Sequence, residues 1–218
     1  MILGIKKGRL ICFLLFLLFL STNIGAQDVI AILDKAVSVC ENSNGLTAQF
    51  TMFIRSDRQQ ISESFEGVID VKGEKFVLKT PDMNIWFDGR NQWTYLERNE
   101  EVNVTLPSEE ELQMTNPILF LRFYKKGFNV IFKGESTAFN GKTCWDIELV
   151  PKKKKDIDVI ELQIEKKSSI PVSITIVTKQ GIHNTIRINE MKTGVNQSDS
   201  CFIFEEKEYP NAEIIDLR

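Results

Sequence analysis

The sequence predicts an α+β fold dominated by one curved antiparallel sheet of about ten or eleven strands. Three observations support this prediction. From Leu46 onward, apolar residues recur at every second position, which is the period of a half-buried strand. Turn-forming residues separate these stretches at regular intervals. Helical patterns occur only near the start of the chain and in its middle. A sheet with so many strands is expected to curl strongly.

The first 26 residues have the layout of a secretory signal peptide. Lys6, Lys7 and Arg9 form a basic region, and the apolar run Leu10–Leu20 follows. This run of eleven residues is too short to cross a bilayer as a helix. Polar and small residues then lead to Gln27, the expected first mature residue. A retained membrane anchor is the alternative interpretation.

This interpretation divides the chain into a signal peptide, residues 1–26, and a single domain, residues 27–218. Cys12 lies inside the apolar run, and no cysteine near the cleavage region could accept a lipid. We therefore expect an exported, soluble, unanchored protein, in keeping with a bacterial periplasm. The mature chain has a formal charge of −6, because the signal peptide carries three of the 27 basic residues against 30 acids. That balance argues against nucleic acid as a partner.

The mature chain is predicted to begin with one amphipathic helix from Asp28 to Cys40. Asp28 is a suitable N-cap, and Gly45 ends the connection to the first strand. The apolar positions of this helix recur at helical spacing. They are Val29, Ile32, Leu33, Ala36, Val37 and Cys40.

Strands and tight turns alternate through the first half of the domain. Asp88-Gly89 is a dipeptide that favours a type I′ hairpin turn. Other turns are predicted at Ser56–Gln59 and at Lys72–Glu74. The predicted strands are, in order, Leu46 to Ile54, Phe65 to Val71, Phe76 to Leu78, Ile85 to Phe87, Trp93 to Leu96 and Glu101 to Leu106.

The strand pattern stops in the middle of the chain. Ser108 and Glu111 have the spacing of a helix capping box. A second short helix is predicted from Asn116-Pro117 onward, and nearly every side of it is apolar. Such a helix must be buried or must face an apolar partner.

Strands resume after Gly127, and a basic turn, Lys152–Lys155, lies between two of them. The simplest interpretation of this turn is a solvated hairpin tip, and partner docking is the alternative. After the last predicted strand, Cys201 to Phe204, an irregular tail is expected through Pro210. The predicted strands of this half are Phe128 to Phe132, Thr143 to Val150, Val159 to Glu165, Val172 to Thr178, His183 to Glu190 and Cys201 to Phe204.

The sequence carries no recognisable catalytic or metal-binding cluster. His183 is its one histidine, and neither a nucleophile elbow nor a glycine-rich phosphate loop is present. We therefore predict that the protein is not an enzyme and that it has no metal or cofactor. Cys40, Cys144 and Cys201 are interpreted as small buried hydrophobes. A Cys40–Cys201 disulfide remains an open alternative.

The positive signal is the number of large apolar residues, since the chain has 15 Phe and three Trp. A curved sheet with one aromatic-rich face, closed by an apolar helix, can enclose a cavity. The alternative is that these residues simply fill a core, and composition alone favours that alternative.

Several segments, in their order along the chain, resemble the LolA family of periplasmic lipoprotein carriers. The stretch from Gly45 to Thr51 resembles the family's first strand, and the stretch from Asp88 to Tyr95 resembles its most recognisable hairpin. Further similarities are at Asn116–Leu119, which resembles the middle lid helix, and at Leu149–Lys152. The C-terminal stretches 201–204 and 213–216 also resemble family members.

The resemblance implies an incomplete antiparallel β-barrel covered by an N-terminal helix and a central helical lid, with an apolar cavity beneath. It implies a monomeric periplasmic carrier for acylated lipoproteins. Cargo would come from an inner-membrane lipoprotein-releasing transporter and pass to an outer-membrane acceptor. Alternatives are a carrier of another lipid or envelope glycolipid, a lipid-anchored receptor-type relative and, least favoured, a hydrolase.

Strand phase and the resemblance together predict which residues bind lipid. One group lies on the inner sheet face: Phe50, Met52, Phe65, Ile69, Phe76 and Leu78. A second group forms the lid: Ile118, Leu119, Phe120 and Phe123. Trp86 and Trp93 are added as residues that either line the cavity or belong to the core. Some family members place an arginine in the turn after the second strand, where it ties the lid to the barrel. This chain has Lys72-Gly73-Glu74 there, so we expect a different or weaker latch.

Overall fold

The computed structural model describes residues 26–109, 111–112, 124–153 and 156–218. The elements whose full bounds fall within these residues are one long helix, one short helix, two 3₁₀ helices (Asp199–Phe202 and Glu206–Glu208) and twelve strands; residues 109 and 111–112 are also helical. The helices are α1 (Ala26–Glu41) and α2 (Tyr124–Gly127). The strands are β1 (Leu46–Ser56), β2 (Ile61–Lys72), β3 (Lys75–Lys79), β4 (Met83–Phe87), β5 (Gln92–Leu96), β6 (Glu101–Thr105), β7 (Phe128–Thr137), β8 (Thr143–Pro151), β9 (Ile157–Glu165), β10 (Pro171–Thr178), β11 (His183–Thr193) and β12 (Glu213–Asp216).

Helix α1 buries four of the six residues of its predicted apolar stripe, and the other two, Ile32 and Val37, are partly buried. Val29, Leu33, Ala36 and Cys40 are all buried against the sheet, at helical spacing of three and four residues. The helix begins two residues before the predicted start and ends one residue after the predicted end. Gly45 connects it to β1 with a φ of 115°, a left-handed conformation that glycine adopts readily.

All twelve strands form one sheet, in the order β12-β6-β5-β4-β3-β2-β1-β11-β10-β9-β8-β7. Two antiparallel meanders, β1 to β6 and β7 to β11, are joined by the pairing of β1 with β11. The parallel pairing of β12 with β6 is the exception to the antiparallel pattern. The sheet does not close within the described residues, since β7 and β12 are its two edges. The prediction of a mostly antiparallel sheet is confirmed.

The sheet is apolar on both sides in its first half. We call the side that packs against α1 the inner face and the opposite side the outer face. Phe76 and Ile85 belong to the inner cluster, whereas their chain neighbours Val77 and Trp86 belong to a second cluster on the outer face. This division follows from the alternation of side chains along a strand.

A C-terminal segment, residues 195–212, covers the outer cluster, and we call it the C-terminal cover. Phe202 and Phe204 insert into this cluster. The lysines of the β2–β3 turn hold the cover in place. The Nζ atom of Lys72 donates to Asp199 at 2.8 Å, and Nζ of Lys75 donates to the same carboxylate at 2.9 Å. These bonds lower the pKa of Asp199 to about 2.

The structure corrects two predictions for the C-terminal region. The strand predicted at Cys201 to Phe204 is wrong, because this stretch begins with a 3₁₀ turn, Asp199–Phe202, that turns Phe202 into the outer cluster. The tail is not irregular to its end, because Glu213–Asp216 pairs with β6 as β12.

Two further corrections concern a turn and a cysteine. Gly89 alone has a positive φ in the β4–β5 turn, so this is not a type I′ turn, which needs a positive φ at both central residues. Cys40 and Cys144 are buried as predicted, but Cys201 is exposed, and no disulfide joins any two of the three.

The predicted capping box in the middle of the chain is confirmed. The backbone N–H and the hydroxyl of Ser108 both donate to Oε2 of Glu111, at 2.7 and 2.8 Å. The N–H of Glu111 is 3.3 Å from the Ser108 hydroxyl. The helix predicted from Asn116-Pro117 and residues 1–25 of the predicted signal peptide lie outside the described residues, whereas Ala26 is the first residue of α1. Within those residues, no helix is long and apolar enough to span a bilayer.

Candidate functional site: an apolar inner sheet face

The inner face is a continuous apolar surface that extends across both meanders. Side chains from β1 to β4 and from β7 to β11 form one cluster with α1. The buried sheet residues of this cluster are Leu46, Ala48, Phe50, Ile69, Val71, Phe76, Leu78, Ile85, Phe87, Phe128, Ile147, Leu149, Ile160, Leu162, Ile164, Ile174, Ile186 and Ile188.

The six residues predicted for the inner face all lie on it. Four of them are buried: Phe50, Ile69, Phe76 and Leu78. Met52 and Phe65 are half-buried against the same cluster and face each other across β1 and β2. The strand phase inferred from the sequence is therefore correct for β1, β2 and β3.

The two tryptophans added to this group lie on the other side of the sheet. Trp86 packs edge-on against Phe204 and Tyr209 in the outer cluster, with ring centroids 5.4 and 5.6 Å apart. Trp93 pairs with Trp86 across β4 and β5 and packs against the same cluster. Both tryptophans belong to the core beneath the C-terminal cover and are separated from the inner face by the sheet itself.

The four predicted lid residues, Ile118, Leu119, Phe120 and Phe123, lie outside the described residues. The turn that begins at Ser108 and the buried Tyr124 flank the segment that contains them. Leu112 packs against the inner cluster at one end of this segment, and Tyr124 at the other. Both ends of the segment thus lie at the inner face.

Sequence reasoning missed the second half of the inner face, which β8 to β11 provide. Its residues include Ile147, Leu162, Ile174 and Ile186. They alternate with polar residues as regularly as those of the first half, so the same period-two argument identifies them.

One end of the inner face is more exposed than the other. Leu46 and Ile164 are fully buried where β1 begins and β9 ends. Met52, Phe65, Ile157 and Ile176, near the opposite ends of their strands, are only partly buried. We call these four residues the open end. Their apolar atoms still touch water, so a hydrocarbon guest that covered them would gain free energy.

Polar contacts fix α1 beside the inner face. The hydroxyl of the buried Tyr124 donates to Asp34 at 2.7 Å, and Nζ of Lys125 lies 2.5 Å from the same carboxylate. The bonds from Lys125 and then Tyr124 lower the pKa of Asp34 below its usual value. Burial, together with the bond to Asp34, raises the pKa of the Tyr124 hydroxyl. The pair therefore stays as a phenol and a carboxylate at neutral pH.

Phe50 and Gly67 make a close contact on the inner face. Phe50 lies opposite Gly67 in the pairing of β1 and β2. A Cβ atom at Gly67 would overlap the ring of Phe50, and it would lie 3.0 Å from the carbonyl oxygen of Lys79. Glycine at this position leaves room for the ring of Phe50 close to the strand.

A polar groove of about 610 Å³ lies on the outer face of β8 to β11. The guanidinium of Arg187 lies between two rings there, 4.7 Å from the centroid of Phe53 and 5.3 Å from that of Phe139. The sheet separates this groove from the inner face. Among the described residues, no group of three His, Cys, Asp or Glu side chains could hold a metal ion.

Comparison with protein families gives one match. Residues 20–181 fit the family described as outer membrane lipoprotein carrier protein LolA. This match covers most of the chain, including α1 and β1 to β10. No curated protein matches.

Comparison with solved structures gives the fold. An uncharacterised conserved protein from Thermus thermophilus superposes with a TM-score of 0.60 at 13% identity, over 86% of this chain and 98% of that one. A LolA superfamily protein from Nitrosomonas europaea has a TM-score of 0.43 at 9% identity, over 81% and 97% of the two chains. The lipoprotein LppX from Mycobacterium tuberculosis has a TM-score of 0.48 at 14% identity, over 80% and 100%. At such an identity the first likeness concerns the fold alone, and the other two, with TM-scores below 0.5, carry no argument.

Proposed function

Since this chain belongs to the LolA family of outer membrane lipoprotein carrier proteins, we propose that it is a periplasmic carrier that binds the acyl chains of lipoproteins on its inner face. Cargo would be taken from an inner-membrane lipoprotein-releasing transporter and passed to an outer-membrane acceptor. Residues 1–26 would direct export and then be removed. The protein would act as a monomer, without chemistry at any step.

The observation that carries this proposal is the continuous apolar inner face with its open end. Met52 and Phe65 meet there across two neighbouring strands, and Ile157 and Ile176 of the second meander pack against the same cluster. All four side chains are partly buried, so each has apolar surface left to cover. An acyl chain laid along this end would contact both meanders.

The energetics suit a carrier that must release its cargo. Each CH₂ group removed from water stabilises the complex by roughly 0.8 kcal/mol, so one long acyl chain offers on the order of ten kcal/mol. A site that captured all of this free energy would hold its cargo too tightly to pass it on. Release therefore requires that part of this free energy be offset. Binding would then be strong enough to keep the cargo in solution and weak enough for transfer.

A second candidate is a carrier for another lipid or envelope glycolipid that uses the same inner face. The apolar residues named above would serve any acyl chain, so they do not choose between these cargoes. The cargoes differ in the group that is attached to the acyl chain, and selection between them depends on that group.

Native mass spectrometry of the protein purified from its own periplasm tests the proposal. We expect a complex whose added mass equals that of a triacylated lipoprotein. Complexes that contain only free phospholipid or glycolipid would support the second candidate. Protein without any lipid, both before and after incubation with a triacylated lipopeptide, would contradict both.

A further inference from the structure

The apolar inner face ends at β4, and a row of polar side chains continues it on β5 and β6. Gln92 and Thr94 on β5 face Thr105 and Asn103 on β6 as direct cross-strand pairs. We call these four residues the polar strip. All four are half-buried.

The polar strip borders the inner face directly. Gln92 pairs with Phe87, and Thr94 pairs with Ile85. Phe87 and Ile85 are buried members of the inner cluster. Because neighbouring strands lie about 4.8 Å apart, a polar group and a hydrocarbon chain of one ligand can lie side by side across this boundary.

The side chain of Gln92 has an acceptor that finds no partner among the described residues. Its Oε1 atom is buried and accepts no hydrogen bond from them, whereas its Nε2 donates weakly to the Thr94 hydroxyl at 3.3 Å. A buried acceptor left unpaired is unfavourable, and a ligand that donates to it removes that cost. The missing partner is a hydrogen-bond donor.

This end of the polar strip opens on a groove of about 670 Å³ that Gln92 and Thr105 line. Two large apolar side chains flank the groove and are exposed, Leu106 by 51% and Leu217 by 61%. The groove therefore offers hydrogen-bonding groups and apolar surface together, as an amphiphile requires.

The charged side chains at this groove already have hydrogen-bond partners. The carboxylate of Glu111 accepts the two bonds from Ser108 that form the capping box. The guanidinium of Arg218 donates twice to Asp216, at 2.6 and 2.9 Å. A charged head group would compete with these partners, whereas a neutral head group would not.

We propose that the polar strip is a head-group site for the neutral, hydrogen-bond-donating head of an amphiphile whose acyl chain lies on the inner face. The donor is an amide N–H or a hydroxyl group, and Oε1 of Gln92 accepts it. This inference rests on the proposed function, because it requires an acyl chain on the inner face. It adds the requirement that the head group donates a hydrogen bond, which binding of the acyl chain alone does not need.

Three neutral twelve-carbon probes test the site by displacing N-phenyl-1-naphthylamine from the purified protein. Dodecanamide offers an amide donor, monolauroylglycerol offers hydroxyl donors, and methyl laurate offers none. We expect the two donors, or one of them, to displace the dye at about three- to ten-fold lower concentration than methyl laurate, the value of one net hydrogen bond. An advantage for only one donor identifies the head group that the site takes.

A matched pair of variants assigns the effect to Gln92. Gln92→Met keeps the size of the side chain and removes the acceptor, so the donors should lose their advantage over methyl laurate. Gln49→Met makes the same change at an exposed position and should keep it. Thermal unfolding checks that each variant is folded. If Gln92→Met is not folded, Thr105→Val, which removes the hydroxyl that faces Gln92, should reduce the advantage instead.

The outcomes separate the two proposals. Equal displacement by all three probes overturns the head-group site and leaves acyl binding intact. An advantage that survives in Gln92→Met also overturns the site. Failure of every probe to displace the dye contradicts acyl binding itself, and the head-group site with it.

Discussion

The buried hydroxyl of Tyr124 donates a hydrogen bond of 2.7 Å to Asp34 and so ties the middle of α1 to the start of the second meander. Tyr124 lies in the inner cluster directly before β7. It is also the first described residue after the segment that contains the predicted lid. One contact thus connects the helix, the sheet and the end of that segment.

Replacing this hydroxyl should loosen α1. Tyr124→Phe removes the donor and leaves Asp34 with Lys125 alone, so we expect a loss of about 1 kcal/mol in the free energy of unfolding. Urea denaturation measures this loss. Tyr95→Phe is the control, since Tyr95 is also buried but lies in the outer cluster. Equal effects of the two changes would show that the Asp34 bond does not stabilise the fold.

The lowered pKa of Asp34 predicts a dependence of stability on pH. The folded pKa lies below the unfolded one because of the bonds from Lys125 and Tyr124. The stabilisation is therefore complete above the unfolded pKa, near 4, and is lost as the pH falls through the folded pKa. Between pH 6 and pH 3 the wild-type chain should lose more stability than Asp34→Asn. A parallel loss in both proteins would contradict this assignment.

The close contact between Phe50 and Gly67 predicts a steric effect. Gly67→Ala places a Cβ against the ring of Phe50 and should cost about 1–3 kcal/mol of stability. Gly127→Ala is the matched control, because a Cβ there meets nothing within 4 Å. The cost of Gly67→Ala should fall in a Phe50→Leu background, where the ring is absent. Additive effects of the two substitutions would refute the contact as the cause.

The lysine pair of the β2–β3 turn should fasten the C-terminal cover. Asp199→Ala removes the carboxylate that both Lys72 and Lys75 bind. Hydrogen exchange in residues 199–204 should become faster, and the fluorescence of Trp86 beneath them should shift toward that of a hydrated indole. Asp57→Ala, which breaks only an exposed contact with Arg55, should change neither signal. Unchanged exchange in Asp199→Ala would mean that apolar packing alone holds the cover.

A charge placed at the open end should stop acyl binding without unfolding the chain. Met52→Glu puts a carboxylate among half-buried apolar side chains, where an acyl chain would strip it of water at high cost. Gln49→Glu introduces the same charge at an exposed position on the outer face of the same strand. Binding of a fluorescent fatty acid should disappear in the first variant and persist in the second. Equal binding by both would place the acyl chain elsewhere.

The inner face could be predicted from the sequence wherever one side of a strand is clearly more apolar than the other. In β1 and β2, polar residues such as Gln49 and Glu66 occupy the alternate positions. A one-residue slip would bury those polar residues, so the phase is well determined. Phe50 and Ile69 were placed correctly for this reason.

The same argument does not apply to β4, because Ile85, Trp86 and Phe87 are all apolar and all buried. In such a strand the alternation of apolar and polar residues is missing, so the sequence does not show which side chains lie on the inner face. Trp86 packs on the outer face against Phe204, which lies more than a hundred residues later in the chain. The local sequence around Trp86 does not indicate this contact. β12 escaped prediction because four residues are too few to show a period and its partner β6 is distant in the chain.

The most direct test of acyl binding on the inner face is paramagnetic broadening by a spin-labelled fatty acid. In methyl-labelled protein with 16-doxyl-stearate bound, the signals of Ile160, Ile174, Ile186 and Met52 on the inner face should broaden strongly. Those of Val77 and Val102 on the outer face should stay sharp. Sharp inner-face signals, or equal broadening on both faces at saturating ligand, would contradict the account.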